Sequence, residues 1–252
     1  MTKMIMHGCN GRMGQMITGI VKEDSEIEIV AGIDINDSIQ NDYPVFASLK
    51  DCAVEADVVV DFGTASAVDD LLACCEEKNL PVVVCTTGLS EEQTGRLNET
   101  SKKIAILRSA NMSLGINLLM KLLQDAVKVL GPAGFDVEIV EKHHRMKLDA
   151  PSGTALALAD AVNEAADNSY EYVYDRSSVR QKRGAKELGI SAVRGGTIVG
   201  DHDVIFAGED EVITFSHRAY SRAVFAKGAV SAAKFLADKG PGLYDMSDVI
   251  NA

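Results

Sequence analysis

Gly8-Cys9-Asn10-Gly11-Arg12-Met13-Gly14 follows a short strand-like run at residues 3–7. It leads into Met13, Met16, Ile17 and Ile20, which fall at i, i+3, i+4 and i+7. That spacing marks one face of a helix, so the glycines occupy a strand-to-helix turn. In such a turn Gly8 permits the tight bend, Gly11 lets backbone N–H groups approach a pyrophosphate, and Gly14 lets helix and strand pack closely. The helix N-terminus adds partial positive charge where phosphates would lie. The spacing is G-x-x-G-x-x-G rather than G-x-G-x-x-G, and on the glycines alone a tight turn without a ligand is the alternative. Asp34 supports the ligand reading. It stands 20 residues beyond Gly14, at the end of a second strand-like run at 27–34, where a carboxylate accepts hydrogen bonds from adenosine ribose hydroxyls. The same carboxylate repels a 2′-phosphate, and Ile35 and Asn36 supply no cation. NADH is therefore expected to be preferred over NADPH.

Outward from this motif, strand and helix signals alternate. Residues 56–62 contain Val58-Val59-Val60, which suits a strand buried on both faces; Val68, Leu71, Leu72 and Cys75 repeat the helical spacing. Residues 81–85 form another apolar run, Ser90-Glu91-Glu92-Gln93 has the form of a capping box, and residues 104–107 close the series. Repeated βα units predict a parallel sheet with right-handed crossovers. Ile116, Leu119, Met120 and Leu123 then mark a long helix ending near Gly131-Pro132. A strand is expected at 135–141, an Ala-rich helix at 153–163, and strands at 190–194, 203–207 and 211–218, the last two flanking Gly208-Glu209-Asp210. A final helix is expected at 223–237. The predicted fold is α/β: an N-terminal Rossmann-like doubly wound parallel sheet and a C-terminal α+β domain with a mixed or antiparallel sheet. The expected boundaries are 1–112, completed by 223–252, for a dinucleotide-binding domain, and 113–222 for substrate binding and oligomerisation.

The 252 residues are 46% hydrophobic and 25% charged, which excludes disordered and low-complexity classes. A net charge of −12 argues against nucleic acid or an anionic membrane as partner. No apolar run reaches the ~18–20 residues of a membrane span, and the N-terminus enters the glycine motif too early for a signal peptide. Cys9, Cys52, Cys74, Cys75 and Cys85 are odd in number and lack zinc or disulfide spacing. They read as buried thiols of a cytoplasmic protein.

In this acidic chain Lys142-His143-His144-Arg145-Met146-Lys147 stands out. Placed in a loop after the strand at 135–141, these groups would bind a small dianion and supply protons near neutral pH. Asp149-Ala150-Pro151-Ser152-Gly153-Thr154 follows and enters the Ala-rich helix, whose free N–H groups and hydroxyls suit a carboxylate. A solvated charge run and a metal site are the competing readings. Adjacent histidines point different ways from an extended backbone, and no cysteine or repeated carboxylate pattern surrounds them, so no metal is expected. For the basic residues Arg176, Arg180, Lys182 and Arg183 the sequence leaves the role open, with a solvated loop face favoured over contact with substrate.

Taken together, these segments resemble the dihydrodipicolinate reductase family. The most specific is 141–155, close to the family's E-x-H-H-x-x-K-x-D-A-P-S-G-T-A signature. Gly11-Arg12-Met13-Gly14, Asp61-Phe62, Thr86-Thr87-Gly88, Asn111-Met112-Ser113-Leu114-Gly115, Arg194-Gly195-Gly196 and His217-Arg218-Ala219 add to it. The resemblance implies NAD(P)H-dependent reduction of a cyclic imine dicarboxylate in lysine and diaminopimelate biosynthesis. It implies that Gly8, Cys9, Asn10, Gly11, Arg12 and Met13 form the pyrophosphate loop and Asp34 the ribose contact. Thr86, Thr87, Gly88, Ser109, Ala110, Asn111 and Met112 would meet the cofactor. His143 would be the proton donor and acceptor and Lys147 a proton donor, while His144, Ser152, Gly153 and Thr154 would hold substrate carboxylates. Met146 departs from the family, where His is frequent. A homotetramer formed through the second domain's sheet is also implied.

Overall fold

Short strands separated by helices fill the first part of the chain in the computed structural model, which describes residues 1–177 and 179–252. In order these are β1 (Thr2–His7), α1 (Arg12–Lys22), β2 (Ile27–Ile33), β3 (Val45–Phe46), β4 (Val58–Asp61), α2 (Val68–Lys78), β5 (Val82–Val84), α3 (Glu91–Thr100) and β6 (Ala105–Leu107). Alternation of side chains along the strands divides the core. Met4, Met6, Val58, Val60 and Val83 face one apolar cluster, and Ile5, Val59, Val82 and Val84 face another. The Ser90 capping box forms as expected, with Ser90 Oγ accepting from Gln93 N and Gln93 Oε1 accepting from Ser90 N, both at 3.1 Å.

After α4 (Leu114–Leu130) come β7 (Asp136–His143), α5 (Gly153–Ala165), β8 (Glu171–Val173), β9 (Glu187–Arg194), β10 (Gly200–Ala207) and β11 (Val212–Ala219). These form a five-stranded mixed sheet in the order β11-β10-β7-β9-β8. β10 runs antiparallel to β7 and β11, whereas β9 runs parallel to β7 and β8. Leu119, Leu123 and Val127 of α4 and Leu158 and Val162 of α5 pack with Val137, Ile139, Ile190 and Phe206 over one face of it.

The chain ends with α6 (Ala223–Leu236), β12 (Gly242–Tyr244) and α7 (Met246–Asn251). β12 pairs with β6, completing an all-parallel sheet in the order β12-β6-β5-β4-β1-β2-β3. Two compact units result: Met1–Ser113 with Ala223–Ala252, and Leu114–Arg222.

Two expectations need correction. β7 continues through His143, so Lys142 and His143 belong to the strand and face opposite sides; Lys142 Nζ pairs with Asp203 across the sheet at 2.8 Å. Arg183 is no solvated loop residue. It bonds Glu138 Oε1 at 2.9 Å, Asp136 Oδ1 at 2.6 Å and the carbonyls of Val137 and Glu187, and Arg176 pairs with Glu187. Both cations brace the start of β9.

Candidate active site

Within the first unit, β1 and β4 lie side by side, and the chain crosses to opposite sides of the sheet after them. Ligands of open α/β sheets bind outside the carboxyl ends of strands at such a switch point. A cavity of about 390 Å³ opens here, lined in part by His7, Gly8, Gly11, Asp34 and Gly63. Gly8 has φ +79°, and a Cβ on it would sit 2.6 Å from the Phe62 carbonyl oxygen. Asp34 accepts the N–H groups of Asn10 and Asn36, each at 2.9 Å, so its carboxylate is fixed against the loop. The glycine turn beside the fixed Asp34 carboxylate fits a pyrophosphate-bearing dinucleotide.

The other residues assigned to the cofactor are distributed along the same edge. Cys9 turns its thiol into the core, where burial pushes it up to about 11, and Met13 packs on that core. Asn10 is buried and bonded to Asn41, whereas Arg12 is exposed. Thr86, just after β5, is buried with no partner for its hydroxyl among the described residues; Thr87 and Gly88 are exposed. After β6, Ser109 is half-buried and Ala110 exposed, and Asn111 and Met112 are buried. The cavity itself thus gathers Gly8, Gly11 and Asp34 and leaves Thr86–Gly88 and 109–112 outside its lining.

The second unit builds a polar site into its sheet. Glu141 and His143 share one face of β7 because they stand two residues apart, and Glu141 Oε2 lies 2.6 Å from His143 Nδ1. Glu141 is fully buried, and Arg194 grips it with two bonds of 2.7 Å. Ser152 N–H donates to its Oε1 at 3.0 Å. Burial alone would push the Glu141 carboxyl up; Arg194, His143 and the Ser152 amide hold it below the usual carboxylate range. Ionised Glu141 can only accept, so Nδ1 carries the shared proton. Burial lowers His143 below the ordinary histidine value, against the pull of Glu141.

His202 completes this interior and was not singled out by the sequence reading. It is the cross-strand partner of Glu141, its ring meets that of His143 edge-on at 5.2 Å between centroids, and its Nε2 lies 3.1 Å from Ser152 Oγ. Burial drives it down to about 4, so it is neutral near pH 7. Ser152 Oγ also accepts the Ala155 N–H as the N-cap of α5. At 1% exposure Ser152 therefore orients the helix start, while Gly153 and Thr154 stand nearer the surface.

Lys147 pairs with Asp149 at 2.9 Å. Lys147 holds the Asp149 carboxyl below its ordinary range. Arg194 anchors this loop through the Asp149 carbonyl at 2.7 Å. His144 lines a separate cavity of about 610 Å³ with Arg145, Gly196, Thr197 and Arg222. Strand end, loop and helix start thus bring His143, Lys147, Ser152, Gly153 and Thr154 into one short segment. Glu141, Arg194 and His202 supply its support, and the i, i+2 spacing of Glu141 and His143 was the available signal for the first of these.

A doubly wound sheet with a glycine cradle and a second sheet bearing a buried carboxylate–imidazole pair define a nucleotide-dependent oxidoreductase. Comparison with known proteins narrows this class. The family description "Dihydrodipicolinate reductase, N-terminus" matches residues 2–112, and "Dihydrodipicolinate reductase, C-terminus" matches residues 115–250. The chain belongs to the dihydrodipicolinate reductase family, whose members are NAD(P)H-dependent. It is 54% identical over 250 residues to 4-hydroxy-tetrahydrodipicolinate reductase of Caldanaerobacter subterraneus subsp. tengcongensis, covering 99% of this chain and 98% of the relative. The enzyme of that name from Clostridium tetani is 49% identical over 252 residues, covering 100% and 98%. Among solved structures, the dipicolinate-bound dihydrodipicolinate reductase from Paenisporosarcina sp. TG-14 superposes with a TM-score of 0.81 at 26% identity, covering 97% of each chain.

Proposed function

We propose that this reductase converts 4-hydroxy-tetrahydrodipicolinate to tetrahydrodipicolinate with its two units in separate roles. The first holds the dinucleotide through the 8–13 loop, Asp34, Thr86, Thr87, Gly88 and residues 109–112. The second holds the dicarboxylate through His144, Lys147, Gly153 and Thr154, with Ser152 fixing the helix start. When bound, the reduced nicotinamide would supply a hydride to the conjugated ring left once the 4-hydroxyl group departs as water, so that one reduced cofactor and one proton are consumed and one water is released.

The chain's residues manage charge and protons. Lys147 and the α5 amides offset the carboxylates. Negative charge builds at the ring carbon next to the imine, and His143 or Lys147 delivers a proton there. Glu141 keeps the His143 ring oriented and favours its imidazolium. The observation that carries this reading is the buried Glu141–His143 pair at 2.6 Å, in one segment with Lys147 and the start of α5.

The Asp34 carboxylate favours NADH, with NADPH accepted more weakly. A cytoplasmic homotetramer is part of the proposal. The sheet face opposite α4 and α5 carries Val193 and Val212, exposed by 45% and 62%, which a second copy would cover. The direct test mixes the purified chain with NADH and freshly made 4-hydroxy-tetrahydrodipicolinate and follows loss of reduced nicotinamide. Substrate-dependent oxidation, faster with NADH than with NADPH, is expected; no oxidation with either cofactor overturns the reading.

A further inference from the structure

We propose that His7, oriented by Asp61, is a dinucleotide-binding residue that donates from Nε2 to a phosphate oxygen. The inference rests on the dinucleotide reading of the first unit and adds a group outside the glycine loop. His7 ends β1 and Asp61 ends β4, and the two are register partners at the switch point. Asp61 is fully buried. Its Oδ1 lies 2.6 Å from His7 Nδ1 and accepts the Gly63 N–H at 2.8 Å, while Oδ2 is buried without a partner among the described residues. A buried carboxylate needs a paired cation or strong donors, and the His7 ring is the ionisable side chain placed against it.

The ring also faces outward. Its side chain is 14% exposed and lines the cavity beside Gly8, Gly11 and Asp34. Gly63 makes room for it, since a Cβ there would lie 2.7 Å from His7 Cε1. With Nδ1 committed to Asp61, Nε2 is the ring nitrogen left for a ligand, and it has no protein partner among the described residues. The cavity's other ionised lining groups, Asp34 and Asp70, are anions. A dianionic pyrophosphate entering such a cavity gains from a ring N–H that the buried Asp61 backs from the other side. His7 then gives one N–H to Asp61 and the other to phosphate.

His7→Asn separates this role from a structural one, because the shorter amide can still reach Asp61 but not the cavity. Calorimetric titration with NADH, ADP and adenosine reads the difference. Loss of one charge-assisted hydrogen bond should weaken NADH and ADP roughly tenfold or more, leave adenosine at its wild-type value, and leave dipicolinate binding unchanged. His7→Gln, which restores a donor near the Nε2 position, should recover part of the loss. Wild-type NADH affinity in His7→Asn, or an equal loss for adenosine, overturns the proposal. A wild-type chain that binds no NADH overturns instead the dinucleotide reading, and the role of His7 with it.

Discussion

Glu141 Oε2 lies 2.6 Å from His143 Nδ1, and both side chains are buried on the same face of one strand. The contact holds an imidazole whose burial works against its charge. Removing the carboxylate should therefore make the imidazolium harder to form.

In Glu141→Gln, the His143 limb of the kcat/KM profile should move to lower pH. The sign follows from the attraction that Glu141 exerts on the imidazolium, which raises His143 while burial lowers it. Steady-state rates across the acidic and neutral range measure this limb. An unmoved or alkaline-shifted limb would remove Glu141 from its orienting role.

His202 should make folding stability pH-dependent. Its folded value is depressed to about 4 from the ordinary 6.5, so the neutral ring stabilises the folded chain fully above 6.5. That contribution falls as pH drops through this interval and is gone below about 4, where the ring is protonated folded or unfolded. Its full size is on the order of 3 kcal/mol. Thermal unfolding should show a shallower acid loss in His202→Gln than in wild type; identical slopes would contradict the assignment.

Asp149 pairs with Lys147, a group that the proposed substrate carboxylate would use. Asp149→Asn weakens this internal competitor. Dipicolinate should then bind more tightly, by up to about fivefold, since an exposed ion pair is worth at most ~1 kcal/mol. Calorimetry on both proteins provides the comparison, and weaker binding in the variant would show that Asp149 helps the ligand instead.

Sequence periodicity revealed most of the architecture because the valines of β4 and the stripe of α1 are local signals. β3, β8 and β12 had no such signal, because their two or three residues stand in no apolar run like those that mark the equally short β5 and β6. The end of β7 was hidden by Lys142 and His143, polar residues that extend a strand here because Asp203 and Glu141 receive them. Arg183 looked like a solvated charge because its acceptors Asp136 and Glu138 lie more than forty residues away in sequence. His202 was silent for the same reason: Ser152 is 50 residues distant, and nothing beside a lone histidine in a strand announces that partner. The glycine cradle and the 141–154 segment were legible because each is contiguous.

The proton-transfer role of the second unit is tested most directly by turnover of His143→Ala and Lys147→Ala with saturating NADH and 4-hydroxy-tetrahydrodipicolinate. Loss of a positioned acid should lower kcat by about 10²–10⁴-fold in at least one of them, with the Kd for NADH unchanged. Wild-type kcat in both variants would contradict proton delivery by this segment.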